Sequence, residues 1–244
     1  MGAINVKHTG SGADIALSSD GTSLLLDGTA VGGGGATLFA ENPSSSSSPT
    51  ATGTDAVAIG DSRGIASGAY SLSLGNSQAS GVSSFSVQIS NNSSILGATG
   101  GGAIAMGDGA KASGSSAIAI GKDALAENTS AVAIGKQVSA ARPYGVALGY
   151  RSKSNVNSKL VFAGGFFSDV GDAQTGVLVL RLDTTDATPE ALTTSNNGYE
   201  SSFNQVILPN NSAFAFHGTI VARQQASGGT ASAAWKVEGL IRRE

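Results

Sequence analysis

Short apolar runs that close on glycine recur along the middle of the chain. Ala56-Val57-Ala58-Ile59-Gly60, Ser71-Leu72-Ser73-Leu74-Gly75, Ala103-Ile104-Ala105-Met106-Gly107, Ala117-Ile118-Ala119-Ile120-Gly121, Ala131-Val132-Ala133-Ile134-Gly135 and Gly145-Val146-Ala147-Leu148-Gly149 share one pattern. A degenerate copy, Ser86-Val87-Gln88-Ile89-Ser90, stands between the second and the third. Subtracting the numbers of the closing residues gives spacings of 15, 15, 17, 14, 14 and 14. Units repeated at so nearly fixed a period are the signature of a solenoid.

Within each unit the residues one and three before the glycine are large and apolar, and those two and four before it are small. Strand side chains alternate faces, so one side carries Ile, Val, Leu or Met and the other Ala or Ser. Neither side is charged, and a strand apolar on both sides is normally covered on both. One face is expected to fill the roll and the other to meet a second copy of the same surface. The small-residue face is assigned to that contact, because a lone chain would otherwise turn alanine towards solvent. The positions expected to pack the roll and join the chains are Ile59, Leu74, Met106, Ile120, Ile134 and Leu148, with Ala58, Ala105, Ala119 and Ala133.

A second, weaker run follows each glycine: Ala110 and Ala112, Ala124 and Ala126, Val138 and Ala140, and earlier Ala66 and Ala79. Each coil is therefore predicted to hold two short strands. Turns such as Ser67-Gly68 and Ser113-Gly114 join them, with glycine supplying the positive φ of a tight corner. Fourteen residues are too few for a three-sided rung and suit a thin β-roll.

Outside the repeat the pattern changes. Residues 1–31 hold three strand-like runs, Ala3 to Lys7, Ala13 to Leu17 and Ser23 to Asp27, too little chain to bury a core alone. This segment is expected to be ordered by a partner or by chain-to-chain contact. Residues 32–54 read as a linker, with Gly32 to Gly35 followed by Pro43, Ser44 to Ser48 and Pro49. The roll is assigned to 55–154. Residues 155–244 alternate strand-like runs, such as Leu160 to Phe162, Gly176 to Leu182, Gln205 to Leu208, Ala213 to Arg223 and Ala234 to Ile241, with turn-rich stretches. They predict an antiparallel β-sandwich or jelly roll. The chain stops at Glu244 straight after a strand, so a truncation, or a sandwich completed by neighbouring chains, is expected.

Composition narrows the function. Charged residues make up 13% of the 244 and the net charge is −3, which leaves no basic footprint for nucleic acid. The absence of cysteine excludes thiolate metal sites and cysteine nucleophiles. Met1 to Val6 lacks the blocks of a signal peptide, and no apolar run approaches the ~20 residues that cross a bilayer. Synthesis in the cytoplasm with no membrane insertion is expected.

Candidate chemistry is thin. His8 and His217 fall in separate domains and support neither a metal pair nor a triad, and His217 reads as a packed residue of the sandwich. The glycine clusters Gly32 to Gly35 and Gly100 to Gly102 lack the setting of phosphate loops and read as ordinary loops. Asp169, Asp172, Asp183, Asp186 and Glu190 would suit calcium or acid–base work, but solvated turn carboxylates are the preferred reading. Asn91-Asn92-Ser93 and Asn128-Thr129-Ser130 read as exposed turns. The late aromatics, Phe162, Phe203, Phe214, Phe216 and Trp235 among them, read as core before sugar platforms. Candidate receptor contacts are the loop residues Phe166, Phe167, Tyr199 and Asn210. No catalytic residue, cofactor or metal is expected.

The repeat resembles the head repeats of trimeric autotransporter adhesins, whose pattern is close to S-x-A-x-A-I-G-x-x-A-x-A. Ser116 to Ala126, read Ser-Ala-Ile-Ala-Ile-Gly-Lys-Asp-Ala-Leu-Ala, fits it almost residue for residue. The resemblance implies a left-handed parallel β-roll and three rolls packed side by side about an axis. It speaks for architecture, since such a roll is a spacer and display scaffold. A bacterial surface adhesin would also need a signal peptide, a heptad stalk and carboxy-terminal membrane strands, none of which is read here. The last segment resembles carboxy-terminal β-domains of tail-fibre and virion proteins of phages of marine bacteria and cyanobacteria. Leu208 to Ser212, Ile220 to Arg223 and Trp235 to Arg243 carry that likeness. Together these imply an all-β, homotrimeric virion fibre protein, a phage tail fibre that presents its last domain to a host surface glycan or protein. The alternatives are a head fibre or capsid decoration protein, and behind these a bacterial adhesin or a polysaccharide-degrading tailspike.

Overall fold

The structure, a computed structural model, describes residues 4–6, 15–19, 24–26, 29–31, 49–60, 63–88, 96–196, 201–225 and 231–244. The chain is all-β, with no helix among the described residues. It divides into two compact units, 1–47 and 48–244.

The first unit is a four-stranded antiparallel meander of Ile4–Val6, Ile15–Ser19, Leu24–Leu26 and Thr29–Val31, each strand paired with its neighbour in sequence. Three strands lie where the apolar runs place them. The fourth, Thr-Ala-Val, is too short to show a period. Of the expected linker, residues 32–48 lie outside the described residues.

The second unit is built on a parallel β-solenoid of two sheets. A long-strand sheet stacks Val57–Ile59, Leu72–Gly75, Phe85–Gln88, Ile104–Met106, Ile118–Ile120, Val132–Lys136, Val146–Tyr150 and Leu160–Ala163. A short-strand sheet stacks the two-residue strands Thr50–Ala51, Ile65–Ala66, Gln78–Ala79, Gly97–Ala98, Lys111–Ala112, Leu125–Ala126, Ser139–Ala140 and Lys153–Ser154. The chain alternates between them, two strands to a coil as the period predicts. The roll runs past the expected 55–154 at both ends. Thr50–Ala51 pairs with Ile65–Ala66, and Leu160–Ala163, expected as the first sandwich strand, pairs with Val146–Gly149. A two-residue strand has no periodicity to read, and the last coil replaces the usual Ala or Ser by Lys159 and Val161.

The small residues point inward, which reverses their assignment to a chain-to-chain contact. Ala103, Ala105, Ala117, Ala119, Ala131, Ala133 and Ala147 of the long-strand sheet are fully buried, as are Ala98, Ala112, Ala126, Val138 and Ala140 opposite them. In the second and third coils serines take the same places: Ser71, Ser73, Ser84 and Ser86 are buried, and Ser73 and Ser77 share a hydrogen bond of 2.8 Å between their hydroxyls. Alternation shows that two faces differ but not which one is inside. Closure decides: a two-strand coil of fourteen residues encloses room for Ala, Ser and an occasional Val, so Ile and Leu face out.

The degenerate copy lies two residues earlier than the sequence suggests. Phe85 pairs with Leu72, Val87 with Leu74 and Gln88 with Gly75, so Gln88 takes the glycine place assigned to Ser90. A slip of one residue would exchange the two faces, whereas a slip of two preserves them and is invisible to a hydrophobic pattern. By subtraction of paired residues the coil from Phe85 to Ile104 is 19 long against 14 for the next. Its five extra residues fall between Gln88 and Gly97, and the ladder then resumes in register.

The corners correct the expectation about glycine. Gly68 and Gly114 do not carry the positive φ. That conformation falls two residues later, on Tyr70 and Ser116, and on Asp55, Ser83, Ser130, Tyr144 and Ser158 in other coils. Tyr70, Ser83, Ser116, Ser130, Tyr144 and Ser158 donate their N–H groups to the preceding coil, Ser116 to Gly101 O and Ser130 to Ser115 O, both at 2.8 Å. The corner glycine answers to close approach instead: a β-carbon at Gly68 would overlap the carbonyl of Gly81.

Both sheets are capped at the far end. Thr175–Val177 pairs antiparallel with Leu160–Phe162 along the edge of the long-strand sheet. On the short-strand sheet the Lys153 N–H donates to Gln174 Oε1 at 2.8 Å, and Gln174 Nε2 donates to Lys153 O at 3.0 Å. One side-chain amide thus supplies the two bonds that a further strand would make.

The antiparallel sheet expected near the carboxy terminus is present, as a separate two-stranded ribbon of Ser212–Arg223 and Ser232–Arg243. The second layer that a sandwich requires is not formed among the described residues. Gln205 to Leu208 is irregular, and the run Gly176 to Leu182 supplies only Thr175–Val177 and a single bridge between Arg181 and Thr193.

Candidate interaction surfaces

Register turns the outward residues of the long-strand sheet into two unbroken columns. One is Val57, Leu72, Phe85, Ile104, Ile118, Val132, Val146 and Leu160. Its neighbour is Ile59, Leu74, Val87, Met106, Ile120, Ile134, Leu148 and Phe162. Every position in both is large and apolar. Val57, Met106, Ile134, Leu160 and Phe162 are exposed, and the others are half-buried. Eight strands about 4.8 Å apart make a patch about 34 Å long.

The short-strand sheet presents a different outer face. Thr50, Gln78, Lys111, Ser139 and Lys153 outnumber Ile65 and Leu125 among its outward positions, and Lys111 Nζ meets Glu127 Oε1 at 3.1 Å. Such a pair is solvated and contributes little. One roll therefore has a wet side and a dry side. Of the predicted packing residues, Ala105, Ala119 and Ala133 lie inside, Ala58 is half-buried in the open first coil, and Ile59, Leu74, Met106, Ile120, Ile134 and Leu148 share the dry outer face.

The candidate receptor contacts do not converge. Phe166 is held down: its ring meets Tyr150 edge-on at 5.7 Å, and the Arg151 guanidinium lies 3.7 Å from its centre. Phe167, next to it, is 86% exposed. Asn210 is exposed in the turn before the ribbon, where Ser212 Oγ donates to Pro209 O at 2.6 Å. Tyr199 lies outside the described residues.

The carboxylates behave as turn residues. Asp172 accepts from the backbone N–H of Ser168 at 2.6 Å, Asp169 at 2.8 Å and Phe167 at 3.0 Å, and these bonds, led by that from Ser168, lower its pKa. Asp186 is lowered by Thr188, and Asp183 accepts from Asn196 at 2.9 Å. No group of metal-ligating side chains forms among the described residues. His217 is exposed opposite Glu238, not packed in a core, since no second sheet covers it among the described residues. Lys159 occupies the inward column of the last coil, and burial alone pushes its pKa down.

The feature that strand-by-strand reading misses is the ribbon's division into faces. Paired residues share a face. Phe214 with Ile241, Phe216 with Gly239, Gly218 with Val237, Ile220 with Trp235 and Ala222 with Ala233 make one side apolar as far as the last pair, where Ser212 stands opposite Arg243. Its reverse is mixed: His217 with Glu238 and Thr219 with Lys236, together with Arg223 and Arg242, stand among the apolar pairs Ala215 with Leu240 and Val221 with Ala234. The alternation was legible; the register that aligns it across two strands was not. No known family and no curated protein matches the chain.

Proposed function

We propose that the chain is a structural fibre protein of a bacteriophage particle, a homotrimer whose rolls stand side by side as a stiff shaft. In this reading it is a tail fibre: residues 1–31 attach to another virion protein, and the region after the roll meets a host surface glycan or protein. The observation that carries it is the unbroken pair of apolar columns on the long-strand sheet, set against a short-strand sheet whose outer face is mainly polar. An exposed apolar patch of this extent marks a surface that meets another protein. Identical rolls, each with one dry face, satisfy one another by closing around an axis.

Light scattering on a sizing column tests the association. The expected mass is three times 23.9 kDa, and a stable monomer would overturn the reading. Immunogold labelling of particles tests the place. Label at the tail supports a tail fibre, and label over the capsid would move the protein to the head.

A further inference from the structure

The roll is not the only unpartnered apolar surface. The ribbon of Ser212–Arg223 and Ser232–Arg243 pairs with no other strand among the described residues. One face of the ribbon mixes Leu240 and Val221 with the polar pairs His217–Glu238 and Thr219–Lys236, which water solvates. On its apolar face Ile220 is 40% and Trp235 52% exposed, which is a poor state for groups of that kind. A two-stranded hairpin alone is marginal in water and needs a third strand or a packed surface.

From these faces we infer that the ribbon is an assembly element: its apolar side closes against the same side of the ribbons of neighbouring copies. The inference rests on the self-association proposed above. Two observations favour a second copy over a foreign partner. First, a ribbon that is marginal alone needs its cover wherever the chain folds, and only its own copies are always there. Second, area is consistent with a shared interface. Twelve residues at about 3.4 Å and two strands about 4.8 Å apart give a face of about 400 Å². Two such faces remove about 800 Å², short of the ~1,000 Å² that a stable interface needs by itself. Adding the columns of the roll passes that mark, so ribbon and roll belong to one assembly.

The test uses the full chain, whose single tryptophan is Trp235 on the apolar face. Acrylamide quenching of its fluorescence is read beside the mass from light scattering. The expected result is a trimer in which quenching is roughly fivefold weaker than for free tryptophan, as at the dry core of an interface. A trimer with freely quenched Trp235 would overturn the ribbon contact while leaving the roll's association standing. A monomer would overturn both.

Two variants then separate the faces. Ile220→Glu is expected to raise the concentration at which the assembly dissociates by about tenfold or more, because it buries a charge. Val221→Glu lies on the opposite face, where Val221 is 72% exposed, and is expected to shift it by less than about threefold. Equal effects would count against the assignment. Quenching of the unaltered chain needs no variant and decides the question even where Ile220→Glu fails to fold.

Discussion

Gly114 lies so close to Asn128 in the next coil that a β-carbon on it would overlap the Asn128 carbonyl oxygen. Gly53, Gly68, Gly81 and Gly100 stand in the same relation to the coil that follows each. Backbone cannot move aside as a side-chain tip can. Gly114→Ala is therefore expected to lower stability by about 3 kcal/mol or more in chemical denaturation. Ser116→Gly, two residues on at φ 55°, should change it by less than ~1 kcal/mol, since relief of strain offsets the added freedom of the unfolded chain. The opposite order would refute this division of labour at the corner.

The interior of the middle coils is lined almost wholly by alanine, with Val138 as the larger exception. Ala119→Leu should destabilise the roll by about 1–3 kcal/mol or more, through overpacking against the short-strand sheet. Ile134→Glu faces outward and should leave the circular dichroism of the folded chain unchanged while lowering its solution mass. Should both variants act alike, the inside and outside of the roll have been assigned wrongly.

At the capped end, Gln174→Ala leaves the Lys153 N–H and C=O without their partner. The expected cost is about 1–2 kcal/mol. Hydrogen exchange offers the sharper measurement: the Lys153 amide should lose protection before those of the middle coils, because the open edge frays first.

Lys159 carries the pH dependence. Its pKa is held below the ordinary lysine value by burial, so the unfolded chain binds more protons than the folded one between the two values. Stability should rise as pH climbs from the folded pKa towards 10.5. Lys159→Met should remove that slope and raise the melting temperature by about 2–4 °C. An unchanged slope would mean that another group is responsible.

Asp172 works in the same sense, in the acid range. Its lowered pKa means that the hydrogen bonds of the 167–172 loop persist above the ordinary carboxylate value and are lost as pH falls through the folded one. Amide shifts of Phe167, Ser168 and Asp169 should move together in an acid titration followed by NMR, and should stay still in Asp172→Asn.

What the sequence made legible was whatever repeats. The period gave the two-strand coil, and the alternation gave two unlike faces at Ile120 and Ala119. Three things escaped it for physical reasons. Which face is inside depends on how tightly the coil closes, and that belongs to the whole fold. The register of Phe85 and Val87 differs from the expected one by an even step, which leaves every face unchanged. The region after Ala163 was read as a sandwich because it alternates, yet alternation equally describes a ribbon with one face uncovered. Gln174 left no signal at all: a lone glutamine in a loop does not announce that it completes a sheet.

The coil beginning at Phe85 has a further consequence. Its additional residues fall in sequence between Gln88 and Gly97, and both ladders are back in register by Ile104. The solenoid can thus be altered along two separate coordinates. Whole coils of fourteen residues would set reach in steps of about 4.8 Å, like marks on a ruler. Insertions at a corner would add sideways loops and leave the graduation untouched. Length and decoration are therefore free to vary independently under selection, and a designer could graft a peptide after Gln88 without recalibrating the rod.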